Sequence, residues 1–139
     1  MKGMIALLIG IDTNIIIRLL TQDHAEQFAL ARSVVASASQ EGPLCVNIVT
    51  LTECLWVLER QLKLSAVNAR RLLGEFLQAP EILVPGNTPF GTWQSALLLA
   101  HSGWTDIAVA AINTELGCVH TLTFDKRAAK TVPGMELLA

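Results

Sequence analysis

The sequence predicts an α/β protein, a three-layer α/β/α sandwich on a mostly parallel sheet of four to five strands. Three observations predict it. Short apolar runs alternate with longer stretches of helical periodicity, the pattern of strand-helix-strand units. The first run, residues 5–11, is apolar throughout instead of alternating with polar residues, as a strand buried on both faces is. The chain is also greasy, with 52% hydrophobic and 16% charged residues, which suits a sheet covered on both sides. At 139 residues it fits one domain spanning residues 1–139, long enough to bury a real core.

Taken in order, residues 5–11 form an unbroken apolar run that stops at Asp12, a first buried strand. Residues 14–20 and 25–40 read as helices, the second carrying Phe28, Ala31, Val34, Val35 and Ala38 at helical spacing. Gly42-Pro43 ends it, and residues 44–46 make a second strand. A helix over residues 50–61 follows, with Leu51, Leu55 and Leu58 in one stripe, and Ser65 caps another that runs to Leu77. Ala79-Pro80 breaks the chain before a third strand at residues 82–84. Thr88-Pro89 has the form of a helix start, cap then proline, for a helix reaching His101. Thr105 caps the next helix to Leu116, closed by Gly117. A fourth strand at residues 119–122, a helical turn at 126–130 and a fifth strand at 135–138 complete the chain.

Composition excludes several classes. The apolar run from Met4 to Ile11 falls far short of the roughly 20 residues that span a bilayer, and no cleavage site follows it. These features point to a cytoplasmic protein, with Met1 or Met4 as its start. Cys45, Cys54 and Cys118 are odd in number and widely spaced, so neither a disulfide framework nor a zinc site is indicated. His24, His101 and His120 stand in unrelated contexts. The net charge of −2 gives no global field for nucleic acid.

Four acids stand out against this background. Asp12 and Asp125 directly follow strands, and Glu53 and Asp106 fall in the first turns of helices whose N-termini belong on the same sheet edge. Ligands of open α/β sheets bind at that carboxyl edge. Each acid also has a local explanation: Thr50-Leu51-Thr52-Glu53 matches a capping box, Asp106 follows the cap Thr105, and Asp12 and Asp125 can cap helices. Four carboxylates brought together repel and call for a hard cation, magnesium or manganese, since every donor is oxygen. Without these four, the bases outnumber the remaining acids, so a bound cation would turn the local field positive.

The motifs Ile9-Gly10-Ile11-Asp12-Thr13-Asn14, Thr52-Glu53, Thr105-Asp106-Ile107-Ala108 and Thr121-Leu122-Thr123-Phe124-Asp125 resemble, in order and context, the four acidic motifs of PIN-domain nucleases, and in particular of bacterial VapC-type toxins. The resemblance covers nearly the whole chain. It implies an endoribonuclease for single-stranded or loop RNA, with one or two magnesium or manganese ions held by Asp12, Asp106 and Asp125 and with Glu53 as a ligand or water-positioning group. Thr13, Asn14 and Thr123 are candidates to orient the carboxylates by hydrogen bonding. Trp104 is a candidate to stack a base, and Lys126, Arg127 and Lys130 are candidates to meet phosphates. The resemblance further implies a small cognate antitoxin, a homodimer, and a larger toxin-antitoxin assembly. Many members carry an acid where this chain has Gly103, which bears on a second ion. The competing readings are a catalytically silent PIN-like RNA-binding or scaffold module, and a phosphatase-like hydrolase, whose second acid is replaced here by Asn14.

Overall fold

The apolar run that stops at Asp12 becomes β1 (Ile9–Gly10). The computed structural model describes residues 8–98 and 103–138; residues 5–7 of the expected first strand, Met4, and His101 at the end of an expected helix lie outside them. The chain divides into two units, Met1–Pro85 and Gly86–Ala139, and each is taken by itself.

In the first unit β1 leads into α1 (Thr13–Thr21), which stops where Gln22 adopts a left-handed conformation at φ 53°. Next come α2 (Ala25–Ser39), β2 (Leu44–Cys45), α3 (Ile48–Arg60), α4 (Ala66–Phe76) and β3 (Ile82–Leu83). The three strands form a parallel sheet in the order β1-β2-β3, with Ile9 opposite Leu44 and Leu44 opposite Ile82. Parallel neighbours need a crossover, and the helices between the strands supply it. Ile16, Leu44, Val46, Leu51, Leu58 and Leu73 are fully buried and form the core of this unit.

Helix starts here differ from expectation in an instructive way. The α2 cap is His24, whose Nδ1 accepts from the Gln27 N–H at 3.2 Å. Of the stripe expected on α2, only Ala31 and Ala38 are buried, and Val34 is exposed. Helix α3 is capped by Asn47, not Thr50: the Asn47 side chain accepts from the Thr50 N–H at 3.0 Å. Asparagine ranks above threonine as a cap, so the earlier start is the better one. Ser65 caps α4 as expected, accepting from the Asn68 N–H at 3.1 Å.

The second unit opens on a feature absent from the expected order. Instead of a helix from Thr88, residues 87–92 form an antiparallel hairpin of β4 (Asn87–Thr88) and β5 (Gly91–Thr92). The buried Thr88 hydroxyl accepts from the Phe90 N–H at 3.0 Å and donates to the Gly91 carbonyl at 3.1 Å. Those bonds close a hydroxyl turn around Pro89 that competes with helix, and Gly91 at φ 107° lets the chain reverse. The helix starts later, as α5 (Trp93–Leu98), where Thr92 accepts from the Ser95 N–H at 3.1 Å.

Helix α6 (Trp104–Glu115) is capped by Gly103, which offers no side-chain bond; the expected cap Thr105 lies inside the helix. Its end follows expectation. Gly117 at φ 96° permits paired bonds from Gly117 N–H to Thr114 and from Cys118 N–H to Asn113, which satisfy the last carbonyls. The chain continues through β6 (Thr121–Thr123), α7 (Lys126–Thr131) and β7 (Met135–Leu137), with β6 and β7 parallel. Trp93, Leu97, Ile107, Ala111 and Val132 are buried here. The α/β class is therefore observed, with parallel pairing among three strands in one unit and two in the other. Among the described residues no helix is long and apolar enough to cross a membrane.

Candidate metal centre

Asp12 and Glu53 come together in the first unit. The end of β1 delivers Asp12 to the start of α1, where its Oδ1 accepts from the Ile15 N–H at 3.4 Å. The next residue, Thr13, is buried, and its hydroxyl donates to Glu53 Oε1 on α3. Because Asn47 caps α3, Glu53 lies beyond the first turn and is not spent on its own helix start. Thr13 thus ties one acid motif to the next across two helices.

Cys54 reports the same proximity. Burial pushes its thiol up to about 12, and the charges of Glu53 and Asp12 push in the same direction, against a hydrogen bond to Thr13. A thiol with that value stays protonated at neutral pH and is a poor nucleophile or metal ligand. It acts as packing beneath the carboxylates.

In the second unit the acids are held locally. Asp106 lies in the first turn of α6, where the helix dipole favours a negative charge. Its carboxylate turns back toward Gly103, such that a Cβ added there would lie 3.2 Å from Asp106 Oδ2. Asp125 is the cap of α7, its Oδ1 accepting from the Ala128 N–H at 2.9 Å, and its own N–H donates to Thr123 Oγ1 at 3.0 Å. Thr13 thus meets a carboxylate, whereas the Thr123 hydroxyl meets the backbone N–H of Asp125. Asn14 is exposed, with no side-chain hydrogen bond among the described residues.

Trp104 is only 6% exposed, and its ring packs against Trp93 with centroids 5.5 Å apart. It is a core residue and does not present a stacking face. Lys126, Arg127 and Lys130 are exposed along α7. The residue missed by sequence reasoning is Trp56, 52% exposed on the same side of α3 as Glu53. The signal was available: with Leu51, Leu55 and Leu58 facing inward, positions 53 and 56 have to face outward. A cavity of about 470 Å³ in the second unit, lined by Asn87, Thr88, Thr114 and Glu115 among others, contains none of the four acids.

Among the described residues no group of three acids, histidines or cysteines stands close enough to hold an ion. The donors themselves suit a hard cation. All are carboxylate oxygens, and Asp12 and Asp125 each use Oδ1 for the cap with no partner to Oδ2 among the described residues. Such oxygens match magnesium or manganese and do not match zinc or copper.

An α/β fold with carboxylates at a strand end and at helix starts defines a class of proteins that work at a sheet edge. This chain belongs to the PIN domain family, whose model matches residues 9–132. PIN domains are generally nucleases and typically use divalent metal ions. No curated relative matches the chain.

Proposed function

We propose that this protein is a magnesium- or manganese-dependent endoribonuclease, cleaving single-stranded or loop RNA, and that it is the toxin of a toxin-antitoxin pair. The observation that carries the reading is the bond from Thr13 to Glu53: an acid that could have capped its own helix is instead held by the residue that follows Asp12. In this reading Asp12, Glu53, Asp106 and Asp125 are the catalytic acids of a single nuclease domain. The family match over residues 9–132 includes all four.

A bound divalent ion supplies charge neutralisation at the phosphate and a water of lowered pKa. The chain's own groups do the positioning. Backbone N–H groups at Ile15 and Ala128 hold Asp12 and Asp125, and Thr13 holds Glu53, so these three carboxylates keep set orientations. Gly103 offers no carboxylate of its own where many members carry an acid, which favours one well-held ion over two. Hydrolysis by water leaves a five-prime phosphate and a three-prime hydroxyl. Exposed Val67 on α4 and Leu30 and Val34 on α2 support a protein partner, antitoxin or second copy, over these helices. A cytoplasmic location belongs to the same reading.

The test is RNA cleavage by purified Asp12→Asn and Asp106→Asn proteins with magnesium or manganese. Both should lose cleavage while keeping the circular dichroism of the parent. Undiminished cleavage by both overturns the mechanism. Expression of the chain alone should arrest bacterial growth, and co-expression of the adjacent small gene should relieve the arrest; harmless expression of the intact protein overturns the toxin reading.

A further inference from the structure

Helix α3 presents one outward stripe, Val49, Glu53, Trp56 and Arg60, all exposed. Their spacing of four, three and four residues puts them on one face of a helix. Trp56, at 52% exposure, is a large apolar ring left in solvent one turn from Glu53, whereas Trp93 and Trp104 are 2% and 6% exposed. The stripe continues into positive charge. The turn after α3 folds back on it through bonds from Leu62 N–H to Val57 and from Leu64 N–H to Leu58, which sets Lys63 at the helix end. Arg60 and Lys63 are exposed and form no ion pair among the described residues. From Glu59 to Arg71 the chain carries Arg60, Lys63, Arg70 and Arg71 against the one acid Glu59, in a protein whose net charge is −2.

An exposed aromatic ring followed by free cations is the arrangement by which proteins hold single strands: the ring stacks an unpaired base and the cations follow the backbone. We propose that the α3 face from Glu53 through Trp56 to Arg60 and Lys63 is a single-strand RNA track, with Trp56 stacking a base and Arg60 and Lys63 meeting the phosphates beyond it. This rests on the nuclease reading of Glu53 and assigns the strand a direction away from that residue along α3. Lysine and arginine on a helix end also complement its dipole, but that role does not call for an exposed tryptophan.

The experiment measures binding of the full chain to a fluorescent, mixed-sequence RNA of about a dozen nucleotides, within the site sizes usual for single-strand binders, with a chelator present so that cleavage does not enter. Trp56→Ala should weaken binding by roughly tenfold or more, the loss of one stacked base. Trp56→Phe should bind within a few-fold of the parent and lose the quenching of tryptophan fluorescence by RNA. Arg60→Ala and Lys63→Ala should each lower the slope of log affinity against log salt by about one. Parent-like binding by Trp56→Ala overturns the track. So does a halved oligomer mass in that variant with RNA affinity unchanged, which makes the face a protein interface. If Trp56→Ala does not fold, unchanged quenching in Trp56→Phe or unchanged salt slopes overturn it instead. Cleavage that survives Asp12→Asn alongside weakened Trp56→Ala binding strikes the metal-centre reading and leaves the track standing.

Discussion

The two units hold their acids by different means. In the first, Asp12 caps α1, and Glu53 on α3 accepts from the buried hydroxyl of the next residue, Thr13, a tie between two helices. In the second, Asp106 and Asp125 are each kept by a single helix start, one in a first turn beside Gly103 and one as a cap. A tie between elements forms only when the unit folds, so it reports tertiary structure. A cap forms with its own helix and by itself carries no sign of function.

The largest expected effect tests whether that difference matters for chemistry. Asp12→Asn and Asp125→Asn should each lower metal-dependent RNA cleavage by about a hundredfold or more, as loss of a metal-held charge costs several kcal/mol of barrier. A chelator should abolish cleavage by the parent. If Asp12→Asn is inactive and Asp125→Asn cleaves normally, the second unit's acid is only a cap. Next comes the tie itself: Thr13→Val keeps the shape and removes the hydroxyl, and cleavage or manganese affinity should fall about 10- to 100-fold. Titration of manganese into both proteins measures it.

A smaller effect separates capping from catalysis by thermal or urea unfolding. Asn47→Ala and Asp125→Ala should each cost about 1 kcal/mol as lost caps, while Glu53→Ala, which removes no cap, should leave stability closer to the parent. A larger loss for Glu53→Ala than for Asn47→Ala would return Glu53 to a structural role. The smallest effect lies at Asp23 in the first unit. The Thr21 hydroxyl, and behind it Arg18 and His24, holds the Asp23 carboxyl below its ordinary range. A lowered folded value stabilises the protein at neutral pH, and the contribution fades as pH falls through the acid range. Asp23→Asn should therefore lower the melting temperature slightly at pH 7, and the difference should vanish in strong acid.

Much of the fold was legible because its signals are local. The switch from an apolar run to Asp12, the Ser65 cap and the Gly117 stop depend on residues within a turn of one another, and each recurs in the structure. What was not legible depended on competition. Thr88-Pro89 can open a helix or close a turn, and the choice was made by Gly91 three residues later. Thr50 and Asn47 both can cap α3, and only the structure shows Asn47 in use, which frees Glu53. The candidate acids could be named from spacing, but the aromatic neighbours could not be sorted: Trp104 is core and Trp56 is surface because of the faces their helices bury. A helix with one well-read inner stripe already contained the answer for Trp56.

Cys54 lies under the Thr13–Glu53 tie, fully buried and protonated, while Cys118 is exposed. A thiol reagent will therefore modify Cys118 at once, half-buried Cys45 after it, and Cys54 only when the contact above it opens, so the informative pair is Cys118 and Cys54. The lag between the two is a built-in clock for the opening of that contact, readable by mass without any label added to the chain.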